Sequence, residues 1–201
     1  MTLDHYDGAA AGWAQGASLV YAPIAALLVD RSPIPLTGAR VLDVGAGTGV
    51  AEAPLRTAGA ATIAQADLSH DMLAWNRDAR APAVVADVTR LPFPGAVFDA
   101  AVASFVLNHL ADPVGGLLEL ARVIAPGGAV LATVYANSSH SANRDAVDAI
   151  ATAYGWVPPI WYAEFKATRA PLLGDVGLMR AAAAAAALEA VEVDEDRKSV
   201  V

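Results

Sequence analysis

A glycine-rich turn, Asp43-Val44-Gly45-Ala46-Gly47-Thr48-Gly49, is the segment of this chain best suited to bind a small ligand. Glycine adopts positive φ angles and lets a ligand approach the backbone closely. The turn lies between an apolar run and a helical pattern, so the first amide N–H groups of that helix would point at the ligand. The alternative is a tight strand-to-helix turn that binds nothing.

The glycine spacing and the position of Asp43 indicate which ligand the turn prefers. Dinucleotide-binding turns have the pattern G-x-G-x-x-G, whereas this chain has G-x-G-x-G followed by Val50. Asp43 would repel a pyrophosphate and attract an ammonium group, and two charges about 4 Å apart interact by about 4 kcal/mol at an effective dielectric constant of about 20. S-adenosylmethionine carries an ammonium and a sulfonium group and no phosphate, so the turn favours this cofactor over NAD.

Two further carboxylates follow predicted strands. Asp67 comes 22 residues after Gly45, where an acid would accept hydrogen bonds from ribose hydroxyls, or would instead cap a helix. Asp87 could accept the amino group of adenine, with the amide of Val88 facing a ring nitrogen, or it could be a turn aspartate. Both positions are compatible with an adenosine-containing ligand.

His109 is the candidate general base, because it follows a predicted strand and an imidazole can accept a proton near neutral pH. The alternative is a histidine at a helix start that bonds to backbone. His140 follows the next strand in a polar loop, and we expect it to be solvated.

Among the aromatic residues of 154–165, we expect Trp156, Trp161 and Tyr162 to contact a flat or apolar substrate, or else to form a local cluster that covers the sheet.

Alternating strands and helices would position these residues. Apolar runs predict strands at 39–44, 61–67, 83–88, 97–106 and 129–136, and a further strand at 188–193. Helices are predicted over 50–58, from an N-cap at Ser69 to Pro82 with Arg77 and Arg80 near its end, and from an N-cap at Asp112 to the Pro-Gly-Gly of 126–128. The pattern predicts an α/β fold with a parallel sheet flanked by helices and with ligands beyond the carboxyl ends of its strands.

Four segments resemble the class I methyltransferases that use S-adenosylmethionine, and are most similar to the type 11 set that includes quinone-biosynthesis C-methyltransferases. They are VLDVGAGTG (41–49), ADLSHDML (66–73), VVADVTRLPFPGAVFDAAVASFVLNHL (84–110) and ELARVIAPGGAVL (119–131). The resemblance implies a Rossmann-like fold and methyl transfer to a small-molecule acceptor. It also implies a set of cofactor-binding residues: Tyr6, Asp43, Gly45, Ala46, Gly47, Gly49, Asp67, Leu68, Met72, Asp87, Val88 and Ser104.

The chain departs from this family at its C-terminal end. The family has seven strands, and its strand seven lies between strands five and six, but no segment here supplies it. We therefore expect a truncated sheet in one domain, 1–195, with an N-terminal helical cap (1–38) and a substrate lid (137–180). Residues 196–201, Asp-Arg-Lys-Ser-Val-Val, can be encoded by GAT CGG AAG AGC GTC GTG, a common sequencing-adapter sequence. We therefore expect a non-native tail there, and the alternative is an authentic charged tail.

Composition excludes several other functions. The formal net charge of −8 disfavours nucleic acid as a partner, and the absence of cysteine excludes disulfides and thiolate metal sites. The four histidines are too scattered for a local metal motif, so we expect no metal. The apolar run 17–29 is interrupted by Pro23 and lacks preceding basic residues, so we expect a cytoplasmic protein without a membrane segment. An NAD-dependent oxidoreductase and a non-catalytic scaffold that binds S-adenosylmethionine stay open, and the sequence does not indicate the oligomeric state.

Overall fold

Five parallel strands form one sheet in the computed structural model, which describes residues 6, 8–136 and 142–195. The strands are β1 (Arg40–Val44), β2 (Thr62–Asp67), β3 (Ala83–Val85), β4 (Phe98–Ser104) and β5 (Ile124–Thr133), in the order β3-β2-β1-β4-β5. This arrangement confirms the predicted α/β architecture. Within the described residues, the outer edge of β5 has no neighbouring strand.

Helices precede, connect and follow the strands. They are α1 (Ala10–Gly12), α2 (Ser18–Asp30), α3 (Glu52–Thr57), α4 (His70–Ala74), α5 (Pro113–Val123), α6 (Ala142–Ala153), α7 (Ile160–Thr168) and α8 (Val176–Ala185). A π-helical turn (Trp13–Ala17) joins α1 to α2, and 3₁₀ turns occupy Leu107–His109 and Ala170–Leu173. The predicted caps are present, since Ser69 accepts a hydrogen bond from the amide of Met72 and Asp112 accepts one from the amide of Gly115.

Each face of the sheet packs against its own helices because side chains alternate along each strand. Leu42 and Val44 of β1 face the core that contains α5 and α8. Val41 faces the opposite core, where Ala25 of α2 and Leu55 of α3 are fully buried. Both faces of the sheet are thus covered by helices, as expected for a parallel sheet, and the polar side chains of Asp43 and Gln65 are buried among the apolar ones.

The predicted strand ends differ from the observed ones where the backbone leaves the sheet. Strand β3 ends at Val85 and not at 88, and β4 ends at Ser104 because Phe105 adopts a positive φ of 57°. Strand β5 begins at Ile124 and not at 129. Its pairing with β4 jumps from Phe98↔Ile124 to Ala100↔Ala129, so the predicted helix-ending Pro-Gly-Gly forms an irregularity inside an edge strand, where proline is tolerated.

The helix predicted from Ser69 to Pro82 is too long. Helix α4 ends at Ala74, and Asn76 already has a positive φ of 55°. Arg80 is therefore not a cation at a helix end. It lies in the connection to β3, where its guanidinium donates hydrogen bonds to the carbonyls of Met72 and Leu73 (3.1 and 3.0 Å).

The strand predicted at 188–193 is absent from the structure. Helix α8 ends at Ala185, Leu188 donates a backbone hydrogen bond to Ala183 (3.0 Å), and Ala187 and Ala190 adopt positive φ angles. In the family that the chain resembles, strand six pairs with strand seven and not with strand five. The described residues contain no strand seven, so the backbone of 188–193 has no neighbouring strand with which to form hydrogen bonds.

The N-terminal helical stretch lies within the predicted cap (1–38) and continues through Pro23, which does not interrupt it. It runs from Ala10 to Asp30, 21 residues, and is long and apolar enough to cross a membrane by length and composition. Pro23 lies inside α2, where it has no backbone N–H to donate to the helix. The preceding turn is exposed, since the side chain of Leu19 is 73% exposed. Core helices and signal sequences have the same composition, so this stretch by itself assigns no location.

Candidate functional site

An open cleft lies beyond the carboxyl ends of β1, β2 and β4, and the space inside it, with the solvent at its mouth included, is about 960 Å³. The cleft is lined by the glycine turn, by the residues that follow each strand and by aromatic side chains of the N-terminal stretch. Of the predicted cofactor-binding residues, those that line it are Tyr6, Gly45, Ala46, Gly47, Asp67, Leu68, Met72, Asp87, Val88 and Ser104.

The glycine turn forms the floor of the cleft, with positive φ at Gly45 (61°), Gly47 (54°) and Gly49 (96°). A side chain at Gly45 would clash with Val106, because a Cβ there would lie 2.7 Å from two of its atoms. Gly49 does not line the cleft. A Cβ at Gly49 would instead face Gln65 and Glu52 behind the turn, so its predicted contact with the cofactor is not supported by its position.

Asp67 joins the glycine turn to the start of α4. Its two carboxylate oxygens accept hydrogen bonds from the amides of Gly47 and Ser69, both at 2.8 Å. Burial raises the pKa of Asp67, and the two backbone hydrogen bonds act against that increase. Ser69 and not Asp67 is the N-cap of α4, so the helix-capping alternative for Asp67 is wrong, and its hydrogen bond from the Ser69 amide closes a turn before the helix. Asp67 also lines the cleft, and each of its oxygens keeps a lone pair for a ligand hydroxyl.

Asp87 and Val88 form the far wall of the cleft. One oxygen of Asp87 accepts hydrogen bonds from the amide and the hydroxyl of Thr89 (2.9 and 2.8 Å), which is the turn arrangement considered above. These hydrogen bonds lower the pKa of Asp87, so the carboxylate is ionised at neutral pH. Its other oxygen has no hydrogen bond within the described part of the chain and can accept one from a ligand.

Asp43 lies beneath the glycine turn and does not line the cleft, so the predicted direct contact with an ammonium group is not supported by its position. The register pairs Asp43 with Gln65 of β2, and the pleat turns both side chains toward α3. Gln65 donates to the Asp43 carboxylate through Nε2 (3.3 Å). Burial raises the pKa of Asp43 from 3.8 to about 7, against the hydrogen bond from Gln65 and the charge of Arg80.

Arg80 connects this buried acid to the glycine turn, a role that the sequence did not predict. Its Nε donates to the side-chain oxygen of Gln65 (2.8 Å), and its Nη1 donates to the carbonyl of Gly47 (3.1 Å). Glu52 also faces this region and accepts the amide of Ala81 through both oxygens. The turn is therefore supported from behind by alternating positive and negative groups, which fix its shape before any ligand binds.

Asp43→Asn is expected to change the pH dependence of stability. Because the folded-state pKa of Asp43 is raised, the folded protein binds more protons than the unfolded chain between about pH 4 and pH 7. Stability contributed by this group is complete below pH 4 and is lost as pH rises through 7. Urea unfolding should therefore show the variant gaining stability relative to wild type from pH 5 to pH 8.

The matched control for this experiment is Asp99→Asn. The ion pair with Arg40 lowers the pKa of Asp99 to about 2, so this carboxylate stays ionised in folded and unfolded chains above pH 5. Its stability difference from wild type should not vary between pH 5 and pH 8. A constant difference for Asp43→Asn over the same range would contradict a raised pKa at this site.

His109 lines the cleft, as the sequence predicted for a residue after β4. Its ring stacks on Phe165 of α7 (centroids 4.8 Å apart, planes at 23°) and meets Tyr6 edge to face at 6.3 Å. Its carbonyl accepts a hydrogen bond from Arg169 (3.1 Å). Burial, with smaller effects of Tyr21 and Asp67, raises the pKa of Tyr6 to about 12, so Tyr6 is a neutral hydrogen-bonding group. His140 lies outside the described residues.

The remaining predicted cofactor residues surround the glycine turn. Met72 is buried, and its terminal carbon lies 3.3 Å from the place where a Cβ on Gly47 would be. Leu68 follows Asp67 along the wall of the cleft. Ser104 ends β4 with its hydroxyl 3.4 Å from that of Thr133. Ser104, Leu68 and Met72 thus line the same cleft as the glycine turn.

The three aromatic residues that the sequence predicted to contact the substrate do not line the cleft. Trp156, Trp161 and Tyr162 do not line it, and Trp156 and Trp161 are 44% and 37% exposed. Instead, Trp13, Tyr21 and Phe105 line it, and Phe165 supports His109 from behind. The alternative of a local cluster fits Trp161 and Tyr162, whose rings meet edge to face at 5.7 Å.

The charged groups of the cleft favour a cationic ligand. Its described lining residues include the carboxylates of Asp67 and Asp87 and no lysine or arginine. A phosphate placed there would meet two carboxylates without a compensating cation, whereas an ammonium or sulfonium group would be attracted. The sequence analysis attributed the preference for a cationic ligand to Asp43, but the carboxylates that line the cleft are those of Asp67 and Asp87.

The central part of the chain is similar in sequence to known proteins. A family model described as a methyltransferase domain matches residues 42–132. A demethylmenaquinone methyltransferase from Mycobacterium sp. (strain KMS) is 43% identical over 105 residues, which cover 52% of this chain and 45% of that relative. The chain thus spans about half the length of the curated relatives that it matches.

Solved structures extend the comparison to the fold. The complex between the Haloferax volcanii Trm112 methyltransferase activator and a methyltransferase contains a chain that is similar to this one with a TM-score of 0.62 and 26% identity, covering 73% of this chain and 68% of that chain. The cyclase SpnF has a TM-score of 0.51 and 28% identity, covering 60% of this chain and 48% of that chain. The motifs, the strand order and these matches together identify residues 42–132 as a methyltransferase domain with the class I fold.

Proposed function

We propose that this chain binds S-adenosylmethionine in the cleft and transfers its methyl group to a small-molecule acceptor. The observation that carries the proposal is one cleft that combines the glycine turn, two carboxylates and no lysine or arginine among its described lining residues. Tyr6, Gly45, Gly47 and Ser104 would hold the methionine part. Asp67 would accept the ribose hydroxyls, and Leu68, Met72, Asp87 and Val88 would hold the adenine.

The cofactor supplies an activated methyl group, so the protein has to align the acceptor and exclude water. In the transfer, a lone pair of the acceptor forms a bond to the methyl carbon while the carbon–sulfur bond breaks and its electrons remain on sulfur. An acceptor atom that carries a proton must lose it. We propose His109 as the group that takes this proton, because it lines the cleft near Tyr6. His109→Gln should lower kcat with an acceptor and leave cofactor affinity unchanged; an unchanged kcat would remove the role.

The acceptor belongs at the aromatic side of the cleft, beyond Phe105, where Trp13 and Tyr21 form the wall. Such a wall suits a flat or apolar molecule, because aromatic rings provide stacking surfaces. The name of the similar demethylmenaquinone methyltransferase from Mycobacterium sp. (strain KMS) is consistent with a flat or apolar acceptor. A formal net charge of −8 argues against a nucleic acid in this place.

Isothermal titration calorimetry with S-adenosylhomocysteine and with NAD tests the cofactor. We expect saturable binding of S-adenosylhomocysteine and no binding of NAD at the same concentration, since the turn has the spacing G-x-G-x-G and not the G-x-G-x-x-G of dinucleotide-binding turns. Binding of NAD alone would establish the oxidoreductase alternative and overturn the proposal.

Methyl transfer itself needs a second measurement, because one fold can support several reactions and the structurally similar SpnF is a cyclase. Protein loaded with methyl-labelled S-adenosylmethionine should pass the label to one member of a panel of aromatic and apolar acceptors. Bound cofactor without labelled product across the panel would favour the non-catalytic scaffold.

A further inference from the structure

Two tyrosines from distant parts of the chain meet beside the aromatic end of the cleft. Tyr21 belongs to α2 and lines the cleft, and Tyr135 follows β5. Their hydroxyl groups are hydrogen-bonded to each other. The pair joins the N-terminal helical stretch to the end of the sheet.

Neighbouring rings fix both tyrosines in place. Trp13 stacks on Tyr21 with centroids 5.2 Å apart and planes at 12°, and Phe105 meets Tyr21 edge to face at 5.1 Å. The same Phe105 ring packs on Tyr135 at 4.8 Å, and Phe165 meets Tyr135 edge to face at 6.5 Å. Because Phe105 directly follows Ser104, the pair lies next to the end of the cleft where the methyl group would be transferred.

The two hydroxyl groups carry one more proton than their mutual hydrogen bond uses. Each phenol has one O–H donor, and only one donor is needed between them. No further hydrogen-bond partner of either hydroxyl is present among residues 6, 8–136 and 142–195. Either hydroxyl can donate to the other, and Tyr21 lines the cleft whereas Tyr135 does not, so the arrangement that leaves an O–H for a ligand has Tyr135 donating to Tyr21. The O–H of Tyr21, which lines the cleft, is then available to a ligand.

We infer that Tyr21 binds the methyl acceptor by donating a hydrogen bond from its hydroxyl, and that Tyr135 is the positioning residue that holds this hydroxyl in place. The acceptor class that fits is a neutral planar molecule with a carbonyl or other acceptor oxygen at its edge. The ring would contact Trp13 and Phe105, while the oxygen would meet Tyr21. This inference rests on the proposed function, since it needs a cofactor and an acceptor in the same cleft.

Binding of matched probes to the full chain saturated with S-adenosylhomocysteine tests the inference. The probes are two pairs in which a carbonyl is replaced by a hydrocarbon group of similar shape: acetophenone with isopropenylbenzene, and 1,4-naphthoquinone with 1,4-dimethylnaphthalene. Tryptophan fluorescence reports binding, because Trp13 lies against Tyr21. The quantity compared between variants is the ratio of carbonyl to hydrocarbon affinity within a pair.

Wild type should prefer a carbonyl probe over its hydrocarbon match in at least one pair. Tyr21→Phe should reduce that ratio about three- to tenfold, which is the range for one hydrogen bond, and Tyr135→Phe should reduce it by a smaller factor. Tyr154→Phe is the matched control, since Tyr154 is 89% exposed and should leave the ratio unchanged. General loosening of the cleft would weaken both members of a pair and would not change their ratio.

The outcomes separate the inference from the proposed function. If S-adenosylhomocysteine does not bind, the proposed function is wrong and the inference falls with it. If it binds but Tyr21→Phe keeps the wild-type ratio, or no carbonyl probe is preferred by wild type, the inference alone is wrong. A reduced ratio in Tyr21→Phe and an unchanged ratio in Tyr154→Phe would support it.

Discussion

Gly45→Ala should destabilise the protein and weaken S-adenosylhomocysteine binding at least about tenfold, the equivalent of about 1.4 kcal/mol. Gly45 has a φ of 61°, a conformation that costs a residue with a Cβ about 1–2 kcal/mol. The added Cβ would also lie 2.7 Å from the Cβ and a methyl carbon of Val106, and overpacking of this kind costs about 1–3 kcal/mol. The backbone has to move to relieve the contact, and this same backbone forms the floor of the cleft.

Gly127→Ala provides the matched control for this substitution. Gly127 also has a positive φ, 82°, but a Cβ there would have no atom within 4 Å. This variant should lose about 1–2 kcal/mol of stability through backbone strain and keep its affinity for S-adenosylhomocysteine. Urea unfolding and calorimetry on both variants measure the two effects separately.

A double variant tests whether the clash with Val106 causes the effect of Gly45→Ala. Combining it with Val106→Gly removes the clashing atoms, so the double variant should be more stable than the sum of the two single changes predicts. Additive losses, or a Gly45→Ala protein that binds S-adenosylhomocysteine as wild type does, would show that the packing of the turn against Val106 does not control the cleft.

Asp67→Asn should weaken S-adenosylhomocysteine binding by about ten- to a hundredfold, since a hydrogen bond to a charged group contributes about 1.5–3 kcal/mol. The carboxylate accepts amides of Gly47 and Ser69 at 2.8 Å and would accept ribose hydroxyls as well. Asparagine keeps the shape but presents one NH₂ group where both oxygens now accept. One backbone amide, or the ribose, therefore loses its partner.

Asp112→Asn is the control for Asp67→Asn. It also removes a carboxylate near the start of a helix, but at a position outside the cleft, so it shows whether that loss alone weakens S-adenosylhomocysteine binding. Asp112 accepts the amide of Gly115 at 2.9 Å and does not line the cleft. Its substitution should change stability slightly and leave calorimetric affinity unchanged. If Asp67→Asn binds S-adenosylhomocysteine within twofold of wild type, Asp67 only joins the glycine turn to the segment before α4 and does not bind the ribose.

The sequence predicted the elements that depend on local rules. The runs before Asp43 and Asp67 are mostly buried strands, because both sides of a parallel sheet are covered and such strands are predominantly apolar. The caps at Ser69 and Asp112 follow from side-chain hydrogen bonds within a few residues. The glycine turn was identifiable because positive φ angles require glycine.

Contacts between distant segments were decided by the tertiary structure alone. Arg80 looked like a cation at a helix end, but it supports the glycine turn because α4 stops early. The aromatic wall comes from Trp13, Tyr21 and Phe105, which no local pattern unites. The segment 188–193 has the alternation of a strand and still forms none, because a strand needs a neighbour and the described sheet offers none at that place.

Asp43 shows where sequence reasoning could have gone further. Strand alternation places it on the same face as Val41, and the parallel register places it beside Gln65, so its position beneath the turn follows from the pleat. The sequence alone determined that the first strand ends in an acid and a glycine turn. Only the packing of β1 against β2 decided that this acid is buried behind the turn, because the neighbour of a strand is chosen by the whole sheet and not by the residues next to it in the chain.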